Sequence, residues 1–261
     1  MSRSPRWPAV MLAVVLLATA AAGALLSAQQ SAPQEKVIGA YTTSFDARSA
    51  GQIDNALRAA RALDGAVLPP GGLFSFNRRV GSWSADRGYR RAPVSYDGEL
   101  ILATGGGVCQ LSTTLYGAAL LGGMDIVERH RHFWPVNYVR PGLDAAVAYP
   151  EVDLQFRNPL PAPVRIRARR SGERLVVELL STTSGDAYSV ETEQIAVHPP
   201  ATVIVQDPRL EPGRVLRATR GQPGCEVAVY RVHELPDGTS ERTLISRDSY
   251  PALNRVMKVA N

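Results

Sequence analysis

An almost unbroken apolar run from Pro8 to Ala28 opens the chain, with no polar face at any period. Behind Arg3 and Arg6 it has the charged start and apolar centre of an export signal, and Ala22-Gly23-Ala24 supplies small residues for cleavage. It is also long enough to stay in a bilayer. Residues 1–28 are therefore expected to be a signal peptide or an N-terminal membrane anchor, and residues 29–36 a short polar linker.

After the linker, Ile38, Tyr41 and Phe45 mark a strand over residues 36–45. Ile53, Leu57, Ala60 and Leu63 recur at helical spacing and predict an amphipathic helix over 51–64, ended by Asp64-Gly65. Val67-Leu68 reads as a short strand running into the rigid turn Pro69-Pro70-Gly71-Gly72, and Phe74-Ser75-Phe76 as core and turn packing. Gly105-Gly106-Gly107 then form a loop entering a second helix, with Leu111, Leu115, Ala118 and Ala119 on one face and Gly122-Gly123 as its stop. From Ile126 to Ala168 the pattern alternates in short pieces, among them Val136–Val139 and Val152–Phe156, punctuated by Asn158-Pro159 and Pro161–Pro163. Beyond about Ser184 come further short strands, at Thr202–Gln206, Cys225–Val232 and Thr243–Ser246. The expected class is α+β, a mixed, β-rich domain over 37–183 with a few helices, then a small all-β extension over 184–261. That extension is either a separate module or a continuation of the central sheet.

Charge narrows the partners. The formal net charge is +5, and two of those cations, Arg3 and Arg6, belong to the leading segment, which holds no acid. The rest is mildly basic with arginine spread evenly, which gives no stripe to track a phosphate backbone, so nucleic acid is not an expected partner. Walker loops, dinucleotide fingerprints and Gly-x-Ser-x-Gly elbows are all missing from the sequence.

Two cysteines occur, Cys109 and Cys225. For an exported chain a disulfide between them is the plain expectation, and spacing does not exclude it. Their settings differ, however. Cys225 follows Pro223-Gly224 and opens an apolar strand, as a small buried hydrophobe would. Cys109 stands where a glycine loop enters a helix, and a helix N-terminus stabilises a thiolate through its unpaired N–H groups and its dipole. Gly106 and Gly107 let the backbone approach a substrate and offer N–H groups for an oxyanion, while Gln110, Ser112 and Thr113 stand near enough to orient a substrate or cap the helix. The competing reading is a buried structural cysteine at a tight turn.

A cysteine nucleophile needs a base, held in turn by a third group. His130 and His132 are two residues apart, so on a strand both rings face one side. Asp144 is the nearest later carboxylate suited to orient one of them. In the competing arrangement one histidine is packed and the other exposed. Cys109 with both histidines would also make an open zinc site, the basis of a zinc-hydrolase alternative. No cofactor or resident metal is otherwise called for. Trp83 and Trp134 read as packing anchors, Trp134 close enough to the site to contact a substrate.

These motifs, taken in order, resemble the VanW family. Val37-Ile38-Gly39-Ala40-Tyr41-Thr42-Thr43, Pro70 to Asn77 (PGGLFSFN) and Arg87-Gly88-Tyr89 look like its opening. Gly105 to Tyr116 (GGGVCQLSTTLY) resembles its signature, and Glu128 to His132 and Gly142 to Ala145 continue it. The sequence departs from the family pattern at Gly117, where asparagine is frequent, and at Phe133, where serine is frequent. The resemblance implies an exported or membrane-anchored cell-envelope protein acting as a cysteine L,D-transpeptidase on peptidoglycan stem peptides. It makes Cys109 the nucleophile and His132, ahead of His130, the base, with Asp144 or a backbone carbonyl holding the tautomer. The alternative it leaves is a non-catalytic wall-binding or accessory protein linked to glycopeptide resistance.

Overall fold

The computed structural model describes residues 34–96, 99–183, 186–235 and 237–260. The expected signal peptide or anchor, residues 1–28, and most of the expected linker lie outside the described residues. Among the described residues no helix is long and apolar enough to cross a membrane.

The frame is an antiparallel sheet of four strands, β1 (Lys36–Ser44), β2 (Val67–Leu68), β8 (Val164–Ser171) and β9 (Arg174–Ser181), in the order β1-β9-β8-β2. Its inner face follows the period of two: Val164, Ile166 and Ala168 on β8 and Leu175, Val177 and Leu179 on β9 are buried. Two helices cover this face, α1 (Ala50–Leu63) and α3 (Val108–Leu121), while the short α2 (Phe76–Val80) packs on α1. A capping box starts α1, with Ser49 accepting from the Gln52 N–H and the Gln52 side chain accepting from the Ser49 N–H.

The buried stripe of α1 is Gln52, Asn55, Ala56, Ala59, Ala60 and Leu63, rotated from the expected face, so Ile53 and Leu57 stand at its edge. Small alanines let α1 lie close on its neighbours, and larger aliphatics seal the rim.

Helix α3 is buried nearly all round rather than on one face. Sheet strands β1 and β9 cover one side, α1 another, and β6 (Asp125–Glu128) and β10 (Tyr188–His198) the rest. The approach of β1 is tight enough that a Cβ on Gly39 would lie 2.5 Å from the Ala118 carbonyl oxygen. Gly117 explains one departure from the family pattern, since the Tyr41 ring occupies the space its side chain would need, 2.4 Å from a built Cβ.

The middle of the chain adds β3 (Leu73–Ser75) and β7 (Gln155–Arg157), which join β6 in the order β3-β7-β6, and the hairpin β4 (Arg91–Tyr96) with β5 (Glu99–Thr104). The expected strand at Val136–Val139 does not form; residues 133–139 are a run of bends without a partner strand. Pro135 lies within that run and Pro141 just after it, and neither can donate to a ladder.

The C-terminal part is all β. Strands β10, β13 (Gly224–Glu234) and β14 (Ser240–Tyr250) make one antiparallel sheet, and β11 (Thr202–Gln206), β15 (Arg255–Val259) and β12 (Val215–Thr219) make a mixed one, with β11 parallel and β12 antiparallel to β15. These sheets are distinct from the four-stranded one. The first is nonetheless continuous with the main core, because Val229 lies within it and Val190 and Ile245 pack against it.

Candidate active site

Helix α3 begins at Val108 because Gly107 sits at φ 108°, a backbone conformation that residues with a Cβ avoid. A side chain at Gly107 would also strike the Gln52 carbonyl oxygen of α1, 2.2 Å from a built Cβ. The loop is pinned from α1 by Asn55, whose amide donates to Gly106 O and Arg90 O at 2.9 Å and accepts from the Arg90 N–H. Trp83 lies against Gly105 and packs edge-on to Phe76 and Tyr149, as a packing anchor should. The result places Cys109 in the first turn of α3, partly exposed, at the positive end of the helix dipole.

Cys109 and Cys225 are both free thiols, so no disulfide consumes the sulfur. When protonated, the Cys109 thiol donates to Val147 O at 3.4 Å. Its other partner is His132, within hydrogen-bonding reach of the sulfur. The His132 ring is bound on its far side by Asp144, with Nδ1 2.7 Å from Oδ2, and the same oxygen accepts the His132 backbone N–H at 2.7 Å. Nδ1 is therefore committed to Asp144, which leaves Nε2 as the ring nitrogen not held by that carboxylate.

Electrostatics follow the geometry. Burial disfavours charge on His132, but the Asp144 hydrogen bond and the Cys109 sulfur outweigh it and lift its pKa to about 9. Burial likewise opposes ionisation of Cys109, yet the hydrogen bond and charge of His132 bring the thiol below its ordinary value. Asp144 is buried, but its bonds to His132 and the charge of Arg129 hold it down at about 2. A charged His132, held by the Asp144 carboxylate, favours the thiolate form of Cys109, the form in which a cysteine is nucleophilic.

The other expected site residues sit elsewhere. His130 is exposed, its Nε2 2.9 Å from Glu128 Oε1. Strand β6 ends at Glu128, so the period of two does not carry both rings to one side, and the two histidines do not share a site. The Cys109–His130–His132 set of the zinc alternative is thus not assembled, and no group of three His, Cys, Asp or Glu side chains fit for a metal occurs among the described residues.

Gln110 does not face a substrate either. It is buried and spends its amide on Ser44 O at 2.7 Å and Thr43 Oγ1 at 3.1 Å. Ser112 and Thr113 are buried too. Ser112 Oγ donates to Ala145 O at 2.6 Å, and Thr113 Oγ1 accepts the Ala145 N–H at 3.0 Å. These two hydroxyls fasten to α3 the segment that carries Asp144. Gly106 and Gly107 hold the backbone at the entry to α3, beside the sulfur.

Two neighbours were not singled out in the sequence. Tyr138 comes from the run of bends after Trp134, lies within hydrogen-bonding reach of Thr113, and its pKa is raised by burial and then by the charge of Cys109. The Arg48 guanidinium lies 4.5 Å from the centre of the Tyr138 ring. Arg129 is the second. Its Nε donates to Asp144 O at 2.6 Å and its two terminal nitrogens to Asp144 Oδ1 and Asp248 Oδ1. Its place just before His130 in the motif is the only local signal for it. Phe133 is exposed and packs edge-on against Trp134, which replaces any serine hydroxyl by an apolar face.

A cysteine at a helix start, a histidine and a carboxylate in hydrogen-bonded series form the centre of this fold. Residues 51–180 match the family described as VanW like protein, and residues 188–260 match the G5 domain. The chain belongs to the VanW family and carries a G5 domain behind its VanW-like domain. It is 39% identical over 145 residues to the uncharacterized protein YoaR of Bacillus subtilis, covering 56% of this chain and 48% of that protein. It is 27% identical over 147 residues to the vancomycin B-type resistance protein VanW of Enterococcus faecalis, covering 54% of each. The chain thus spans about half the length of the curated relatives it matches. The solved IgA1 protease G5 domain is 20% identical, covers 28% of this chain and 87% of its own, and superposes with a TM-score of 0.23.

Proposed function

We propose that this chain is an exported protein of the cell wall that uses Cys109 for L,D-transpeptidase-like acyl transfer on peptidoglycan stem peptides. The observation that carries the reading is the series Cys109–His132–Asp144 at the start of α3. Family membership and the G5 domain support a wall-associated role, and the apolar run at Pro8–Ala28 supports export.

In the first half-reaction the Cys109 thiolate attacks the carbonyl carbon before the terminal D-residue. Backbone N–H groups at the Gly106–Cys109 entry, apart from that of Val108, which is bonded to Gly105 O, are the candidate donors to the developing oxyanion. The carbon–nitrogen bond breaks as imidazolium Nε2 gives its proton to the leaving amine, and a thioester forms on Cys109. In the second half an amine from a neighbouring stem gives its proton to His132 and attacks the thioester, releasing the thiolate. Asp144 keeps the ring oriented throughout and stabilises its charged form. Water in place of the amine would make the same machinery a carboxypeptidase or endopeptidase.

The test is incubation of purified protein with a disaccharide-tetrapeptide and chromatography of the products. A cross-linked dimer formed by the native chain and absent with Cys109→Ala supports the proposal. Untouched substrate with a folded protein and an accessible Cys109 returns the chain to an accessory role.

A further inference from the structure

Strand β14 of the G5 region reaches the candidate site. Ser246, Asp248 and Tyr250 are spaced two apart, and alternate residues of a strand share a face. That face meets the loop carrying Asp144. The Tyr250 hydroxyl donates to Asp144 Oδ1 at 2.5 Å and accepts the Gly142 N–H at 2.8 Å. Asp248 Oδ1 accepts from Arg129 at 2.6 Å, and Ser246 Oγ donates to Asp248 Oδ2 at 2.9 Å. Tyr250 is fully buried, and the Arg129, Asp144 and Asp248 side chains are all at least nine-tenths covered.

The packing is equally close on the backbone side. A Cβ on Gly142 would lie 2.5 Å from Val229 and 3.2 Å from Val227, both on β13, so the Asp144 loop is moulded to this sheet. Cys225 lies opposite Tyr250 in the β13–β14 register and forms with it and Val227 a small apolar cluster behind the hydroxyl.

The two oxygens of Asp144 are therefore held by different parts of the chain. Oδ2 belongs to His132, and Oδ1 belongs to Tyr250 and Arg129. Arg129 divides its charge between Asp144 and Asp248, which keeps it from drawing the Asp144 carboxylate wholly to itself. Without the Tyr250 hydroxyl, Oδ1 would have only the longer 3.1 Å bond to Arg129, and the carboxylate would be free to rotate towards the guanidinium.

We infer that Tyr250, backed by Asp248, is a positioning residue that the G5 region supplies to the Cys109–His132–Asp144 centre, so that this region is a structural part of the reactive unit. The inference rests on the proposed role of that centre. It assigns the C-terminal sheet a task besides any contact with the wall: holding one carboxylate oxygen so that the other faces His132.

The test is the titration of the His132 ring, followed by NMR in full-length protein with labelled histidine and assigned with His132→Gln. The charged and titratable groups facing this ring and its carboxylate are Cys109, Tyr138, Arg129, Asp248 and Tyr250. Native protein is expected to titrate near 9, and Tyr250→Phe to fall towards the ordinary histidine value by at least about half a pH unit. Asp248→Asn, which keeps the strand and the tyrosine, is expected to move the midpoint the same way and carries the test if Tyr250→Phe does not fold. A melting temperature that drops while the His132 midpoint stays or rises would overturn the inference, since a merely structural tyrosine does only that. Native protein whose His132 already titrates near 6.5 would instead overturn the ion-pair basis of the proposed function.

Discussion

Asp144 Oδ2 accepts two hydrogen bonds from His132, from the ring Nδ1 and from the backbone N–H, each at 2.7 Å. One oxygen thereby fixes both the position of the residue and the tautomer of its ring. Asp144→Asn would replace an acceptor by a group able to donate, and would favour the wrong tautomer. Turnover is expected to fall by about two to four orders of magnitude with the fold retained, as read by product formation and circular dichroism.

His130 and His132 make a paired comparison. His130→Ala removes an exposed ring bonded to Glu128 and is expected to leave the reaction within about twofold. His132→Ala removes the proposed base and counter-ion of the thiolate, and the rate is expected to fall by at least about a hundredfold. Equal losses in the two variants would contradict the assignment.

The pKa shifts set a pH window. His132 is raised, so its imidazolium contributes stability that is full below 6.5 and lost as pH rises through about 9. Asp144 is lowered, so its carboxylate contributes stability present above 3.8 and lost as pH falls through about 2. Melting temperature is expected to be level between these limits and to decline on both sides. Acyl transfer is expected to decline above about 9 as well, because the imidazolium proton needed by the leaving amine is gone. A thermal-shift series across pH, paired with initial rates, checks both.

Gly107 carries the backbone turn that presents Cys109. Gly107→Ala is expected to destabilise the protein by about 1–3 kcal/mol from the positive φ alone, with more from the contact with Gln52 O, as read by urea unfolding. Gly117→Ala acts differently, through a clash with the Tyr41 ring. Its loss is expected to be largely recovered in the double variant with Tyr41→Ala, because the obstructing ring is then gone.

Much of the fold was legible because local period and burial agree. The helices α1 and α3 follow from aliphatic spacing and from the glycines that stop them, and the alternation on β8 and β9 is a sheet face covered on one side. Cys109 stands out through its glycine loop, and the ordered motifs bring in His132 and Asp144. What failed did so where local pattern lacked a partner. Val136–Val139 alternates like a strand, yet no neighbouring strand pairs with it, and its Tyr138 ring packs against the Arg48 guanidinium instead. His130 and His132 would share a side only on a strand, and β6 stops short of them. The polar residues Gln110, Ser112 and Thr113 look available in a motif, but α3 is buried on all sides and they are spent on backbone groups. Tyr250 and Asp248 are more than a hundred residues from Asp144, and only the packing of β14 against its loop brings them in.

The most direct measurement is the intact mass of the protein mixed rapidly with a disaccharide-tetrapeptide, with peptide mapping to locate any adduct. The account predicts a transient mass gain equal to the acyl fragment, carried on Cys109, absent in Cys109→Ala, and lost as cross-linked product appears. An unmodified mass with intact substrate, in a protein whose Cys109 alkylates readily, would contradict it.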